Sequence, residues 1–200
     1  LPVDMGALGA EFIAMPDHKG LLGPQGTGLL LCAQPGKPLL FGGTGTLSRE
    51  KTMPEDLPER LEAGTVNVPG AAGLAAGLRL VRSLTPEKIF AAGHGQTMAC
   101  ARGLKALGYR VFSGPDQAMT VSFQGRADCE EIAEFLGSRG IAVRAGLHCA
   151  PLAHESAGTL DRGTVRVSFG HDASPAQTRA LLEELRMKPG PWLLATDVAP

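Results

Sequence analysis

Two short apolar segments, Phe12-Ile13-Ala14 and Leu29-Leu30-Leu31, are joined by the stretch from Met15 to Gly28, Met-Pro-Asp-His-Lys-Gly-Leu-Leu-Gly-Pro-Gln-Gly-Thr-Gly. Its four glycines require tight turning of the backbone between the segments. A single lysine, Lys19, sits in this connection beside His18 and Asp17. Two readings follow. A lysine enclosed by apolar chain supplies the neutral amine that Schiff-base chemistry requires. A lysine at the tip of a surface hairpin is simply a solvated charge.

The chain of 200 residues is long enough to bury a core of its own, as one domain or two small ones. Hydrophobic residues make up 44% and charged residues 20%, an ordinary globular balance. A formal net charge of −1 leaves no electrostatic footprint for nucleic acid or an anionic membrane surface. No apolar run reaches membrane-spanning length, and no secretory signal is present. Cys32, Cys100, Cys129 and Cys149 are widely spaced and form no C-x-x-C pair, which argues against a disulfide scaffold or a four-cysteine zinc site and favours reduced, cytoplasmic thiols.

The expected elements begin with a short helix or turn running into a strand over 5–14, then a strand from Leu29 to Ala33. A glycine loop at 41–46 and a polar, proline-containing stretch at 48–59 form an exposed connection. From Ala71, Leu74, Leu78 and Val81 recur at helical spacing, and Thr85-Pro86-Glu87 restarts a helix that should reach Leu107, with Gly93-His94-Gly95 as a weak point. Strands are expected at 109–112, 119–123, 141–144 and 164–169, with helices from Cys129 to Arg139 and from Ser174 to Met187. That order describes an α+β domain over 71–188, preceded by residues 1–70 without a comparable core and followed by a loose tail at 189–200.

Cys149 lies in Arg144-Ala-Gly-Leu-His-Cys-Ala-Pro-Leu-Ala-His154, a loop after an expected strand, where a thiol is a nucleophile rather than packing. His148 and His154 are its candidate activators; a zinc site built from the three lacks a convincing fourth ligand. Cys32 and Cys100 read as structural, and Cys129 as a solvent-facing residue at a helix start. Strand alternation puts Val165 and Val167 on one face and Arg166 with Ser168 on the other. A guanidinium there suits a carboxylate if that face lines a pocket, and is merely solubilising if it faces water; Arg144 carries the same ambiguity. Gly42-Gly43-Thr44-Gly45 and Gly64-Thr65 offer backbone N–H groups to an anion, but neither is a nucleotide-binding loop of known form.

In order and spacing, His18-Lys19 with Gly23-Pro24-x-Gly26-x-Gly28, Gly42-Gly43, Arg60-x-Glu62-x-Gly64-Thr65-x-Asn67, Arg144-x-Gly146-x-His148-Cys149 and Arg166-x-Ser168 resemble the class V aminotransferases. Within that pyridoxal-phosphate family the likeness is to the cysteine desulfurase and selenocysteine lyase branch, and it runs from about Val3 to Leu185. The resemblance implies an α/β fold of type I: the C-terminal part of the large, cofactor-binding domain over 1–70, and the complete small α+β domain over 71–188. It implies that Lys19 bonds the aldehyde of pyridoxal 5'-phosphate and shuttles protons at Cα, and that His18 helps hold the phosphate. Gly64 and Thr65 would reach the phosphate of the other subunit's cofactor in a homodimer. Arg166, with Arg144 and His148, would bind the amino-acid substrate, and Cys149 would take sulfur from L-cysteine as a persulfide, releasing alanine, before a sulfur-acceptor protein. Selenocysteine as substrate, another reaction of the same fold, and a non-catalytic dimerisation remnant are the alternatives.

Two departures stand out. Pro16 occupies a position where the family often has a phosphate-binding serine or threonine. The chain also starts just ahead of the lysine, without the aspartate and ring-stacking residue expected upstream, as the C-terminal half of a longer enzyme would; as a separate polypeptide it is expected to bind the cofactor poorly and to be inactive alone.

Overall fold

The computed structural model describes residues 3–188, so the expected tail lies outside the described residues. These residues divide after Pro86 into two compact units.

In the first unit, helix α1 (Met5–Leu8) is one turn, capped by the Asp4 carboxylate, which accepts from the Ala7 N–H at 2.8 Å, and stopped by Gly9 at φ 61°. Strand β1 (Phe12–Pro16) pairs antiparallel with β2 (Gly28–Cys32) in the register Ile13↔Leu31. The two apolar segments therefore form a hairpin, and the glycine-rich stretch is its connection. A backbone bond from Gly23 N–H to the Asp17 carbonyl, 2.8 Å, folds that connection back on itself. After β2 the chain is irregular as far as a 3-10 turn at Glu59–Leu61, where the Arg60 Nε donates to the Gly36 carbonyl at 2.7 Å and ties the loop.

Helix α2 (Val68–Leu84) is capped by Asn67, whose side-chain oxygen accepts from the Gly70 N–H at 3.0 Å. Its buried positions, Gly70, Leu74 and Gly77, recur at i, i+4, i+7. This stripe packs on the hairpin connection: Gly73 lies against Pro24, Leu74 against Gly23, and Gly77 against the carbonyls of Leu21 and Leu22. The first compact unit runs to Pro86, beyond residue 70, where the boundary between domains is expected. Helix α2 goes with the first unit because small residues let its backbone approach the Lys19 connection.

In the second unit, α3 (Pro86–Ala106) runs without a break through Gly93-His94-Gly95. Gly93 gives room to the Met119 side chain, and Phe90 stacks on His94 one turn later, with ring centroids 5.0 Å apart. The expected weak point is a packing site. Strands β3 (Arg110–Phe112), β4 (Thr120–Gln124), β5 (Arg144–Gly146) and β6 (Thr164–Ser168) form an antiparallel sheet ordered β3-β4-β6-β5. Val121, Phe123, Val165 and Val167 on one face join a core with Cys100 and Leu104 of α3, Ile132 and Leu136 of α4 (Cys129–Ser138), and Leu181 and Leu185 of α6 (Pro175–Arg186). The Ser174 capping box starts α6 as its sequence announces.

Two expectations fail here. The strand expected at 141–144 shrinks to β5, because the Ile141 N–H is taken by the Leu136 carbonyl at 2.9 Å to finish α4, after Gly140 at φ 74°. Residues 151–157, read as loop, form helix α5 (Pro151–Ala157). Its start and stop signals, Pro151 and Gly158, are both in the sequence; the apolar period is not, since His154 is its only buried residue. No helix among the described residues is long and apolar enough to cross a membrane.

A methyl group at Gly77 would come within 2.5 Å of the Leu21 carbonyl oxygen, whereas one at Gly95 meets nothing within 4 Å. Gly77→Ala should lower the unfolding free energy by about 1–3 kcal/mol, and Gly95→Ala should raise it by about 0.5–1 kcal/mol. Urea denaturation of the two variants checks both signs.

Candidate active site

In the first unit, Lys19 and His18 are both exposed on the connection between β1 and β2. The lysine thus sits on a hairpin connection, as the plainer of its two readings has it, and its amine is open to approach. Its neighbour Asp17 is the reverse: fully buried, with neither carboxylate oxygen hydrogen-bonded. A carboxyl group held away from water without a hydrogen-bond partner is unfavourable. Nothing in the sequence pattern marks Asp17, and it was missed there.

Asp17 forms part of the wall of a cavity of about 400 Å³ that also includes Thr27, Gly64, Thr65 and Asn67. The two glycine loops of the sequence meet here, the Gly64 N–H donating to the Gly43 carbonyl at 2.8 Å. Gly64 at φ 99° needs the freedom that only glycine has. Its N–H is already used, so Thr65, which makes no hydrogen bond to the described residues, is the member of the pair with free donors. A reachable primary amine beside an imidazole, and a free hydroxyl and N–H at Thr65, are donors chemically suited to an aldehyde and a phosphate.

In the second unit the candidate residues share the polar face of the sheet. Antiparallel pairing sets Arg144 of β5 directly opposite Arg166 of β6, with Ser122 of β4 opposite Arg166 on its other side. Val165 and Val167 turn into the core and Arg166 and Ser168 away from it, as alternation requires. The Arg166 Nε donates to the Ser168 Oγ at 3.2 Å, and its terminal nitrogens have no partner among the described residues. Like charges directly opposite on paired strands repel, so this face is prepared for an anion.

Leu147 to Ala150 is a tight turn closed by the Ala150 N–H on the Leu147 carbonyl at 2.9 Å. Its two central residues, His148 at φ 55° and Cys149 at φ 61°, are both left-handed, the signature of a type I′ turn that ordinarily takes asparagine and glycine. Holding two side-chain-bearing residues there costs about 1–2 kcal/mol each. The turn leaves the Cys149 thiol exposed and directs the sulfur back over β5, where the Arg144 Nη2 donates to it at 3.3 Å.

The neighbouring histidines are engaged elsewhere. The His148 Nε2 shares a hydrogen bond of 2.9 Å with the Thr164 hydroxyl, and the buried His154 shares one of 2.8 Å through Nδ1 with Thr159. Burial first, then the nearby Arg166, His154 and Arg144, lower the His148 pKa from its ordinary 6.5 and keep the ring neutral. Cys129 corrects its expectation: it is buried rather than solvent-facing, and desolvation together with a hydrogen bond to Glu130 pushes its thiol up to about 11. Cys100 is buried and its thiol is pushed to about 12 by desolvation, a structural residue as expected.

Known proteins resemble this chain over most of its length. The family described as Aminotransferase class-V matches residues 1–181. A probable cysteine desulfurase of Methanothermobacter thermautotrophicus is 33% identical over 196 residues, which cover 92% of this chain and 49% of that protein. Among solved structures, the apo cysteine desulfurase from Thermococcus onnurineus NA1 superposes with a TM-score of 0.80 at 30% identity, over 92% of this chain and 48% of that one. The cysteine desulfurase CsdA (S-sulfonic acid) from Escherichia coli gives a TM-score of 0.80 at 27% identity, over 94% and 48%. The chain spans about half the length of the curated relatives it matches.

Two outcomes test this geometry. Replacing Asp17 by alanine removes the unpartnered carboxylate and should raise the unfolding free energy at neutral pH by about 1–3 kcal/mol; a loss in urea denaturation would mean that the carboxylate has a partner. For His148, the folded chain binds the ring proton less readily than the unfolded chain. Stability is therefore complete above about pH 6.5 and falls as pH drops through the lower folded value. In His148→Asn, whose side chain tolerates a positive φ, thermal melts between pH 7.5 and 5 should show a shallower fall.

Proposed function

The chain belongs to the class V aminotransferase family and shares the type I fold of its pyridoxal-phosphate enzymes, and from that premise we propose that it is the C-terminal half of a cysteine desulfurase. In this reading the first unit is the end of the large domain and the second unit is the small domain. The observation that carries it is the joint presentation of a thiol and two guanidiniums on one sheet face: Cys149 exposed on its strained turn, Arg144 on the sulfur, Arg166 opposite with its fork free.

Pyridoxal phosphate, when bound, supplies the electron withdrawal that loosens bonds at the substrate Cα. Lys19 is the residue that bonds it, through the exposed amine on the hairpin connection, and that moves protons at Cα. His18 and Thr65 hold phosphate, Thr65 with donors that the fold leaves free and Gly64 by shaping the loop that presents them. By the family's arrangement, Thr65 serves the cofactor of the partner subunit in a homodimer. Pro16 has no hydroxyl to add, so phosphate binding rests on fewer contacts.

Arg166 receives the substrate carboxylate, a planar fork on a planar anion. Cys149 takes the sulfur of L-cysteine as a persulfide and leaves alanine. An exposed sulfur on a tight turn can then be passed to an acceptor protein. The four thiols stay free, which supports a reducing, cytoplasmic setting.

The test adds pyridoxal phosphate to the full-length protein that carries this chain as its C-terminal half and follows absorbance in the near ultraviolet and visible range. A new band should form and be lost in Lys19→Ala; its failure to form in the full-length parent would favour the non-catalytic remnant. With L-cysteine as substrate, Cys149→Ser should cut sulfide release by at least about 100-fold, and Arg166→Lys should raise KM by about tenfold or more. Sulfide release unchanged in Cys149→Ser would remove the persulfide role.

A further inference from the structure

Arg144 and Arg166 are chemically identical, face each other across one ladder, and are equally plausible ligands for a substrate carboxylate by residue type. Their surroundings differ. The Arg166 guanidinium is anchored at Nε by Ser168, 3.2 Å away, with its terminal nitrogens unengaged among the described residues. The Arg144 guanidinium instead spends its Nη2 on the Cys149 sulfur at 3.3 Å. The loop between these two residues is closed by the Leu147–Ala150 turn, whose left-handed His148 and Cys149 return the sulfur to the strand it came from.

The histidine next in sequence does not take this role. The His148 Nε2 is held by Thr164, and the ring is kept neutral in part by the same two guanidiniums. Arginine, by contrast, stays charged throughout the physiological range. We propose that the two arginines divide the work: Arg144 is a positioning residue that holds the Cys149 sulfur, while the substrate carboxylate goes to Arg166 alone. This assignment rests on the reading of Cys149 as the sulfur-accepting thiol, and it withdraws Arg144 from the substrate-binding set implied by resemblance.

Two alkylating reagents separate the roles, because both transfer a carbon to sulfur with loss of iodide and only one carries a carboxylate. The full-length protein that carries this chain is treated with iodoacetamide or iodoacetate, and modification of Cys149 is followed by peptide mass spectrometry, which keeps the half-buried Cys32 separate. Arg144→Gln should slow both reagents about tenfold and leave the iodoacetate-to-iodoacetamide ratio within about twofold of the parent's. Arg166→Gln should lower that ratio by about tenfold. Arg144→Lys keeps a cation on β5 and should bring the iodoacetamide rate back to within about threefold of the parent. An Arg144→Gln chain that loses its preference for iodoacetate while iodoacetamide reacts at the parent rate would make Arg144 a second carboxylate ligand and overturn the proposal. Parent rates with both reagents would overturn it as well, showing that the contact has no effect on the sulfur. The reagents require no cofactor, so normal alkylation without sulfide release would remove the desulfurase reading and leave the division between the arginines standing.

Discussion

Arg144 and Arg166 stand opposite each other on β5 and β6, and that register decides which side chains of the second unit meet solvent. Side chains alternate along a strand, so a slip by one residue would bring Arg166 into the core and turn Val165 and Val167 out. What forbids the slip is on the other side of the sheet, where Phe123, Ile132 and Leu136 are fully buried against those valines. The apolar core holds the chemistry in place from the opposite face of the sheet. The sheet is a partition: one face supplies cohesion and the other presents charge, hydroxyl groups and a thiol.

The first unit is held differently. The hydrophobic core cluster of the described residues lies in the second unit, while in the first the closest approaches are those of α2 glycines to the Lys19 connection. Backbone lies on backbone there, at Gly77 against Leu21 and Leu22. Such contacts place a turn accurately but contribute little apolar burial. The same crowding encloses Asp17, whose backbone closes the connection while its carboxylate is left without a partner.

Much of this was legible in the sequence, for identifiable reasons. The period of two in Thr164–Ser168 separates Arg166 from the valines before any coordinates are consulted, and Thr85-Pro86 and Ser174-Pro175 announce helices by capping chemistry. The ordered glycines of the Lys19 connection require its turns. Illegible features are those set by groups distant in sequence or by conformations that residue type disfavours. Helix α5 buries one residue and so has no apolar period, and Ile141 spends its N–H on a helix end rather than a ladder. Burial of Cys129 and Asp17 follows from packing that no local pattern encodes. The contact between Arg144 and Cys149 depends on two residues adopting a left-handed backbone that neither prefers.

That turn has a consequence for anyone seeking a hardier version of this protein. Glycine or asparagine at positions 148 and 149 would suit the backbone better than histidine and cysteine do, so a screen that rewards heat resistance alone has a reason to choose them. Its early winners would include chains whose thiol has been discarded. Selection for robustness and selection for sulfur chemistry pull in opposite directions at these two adjacent positions, and a library that varies them needs a thiol readout beside the melting curve.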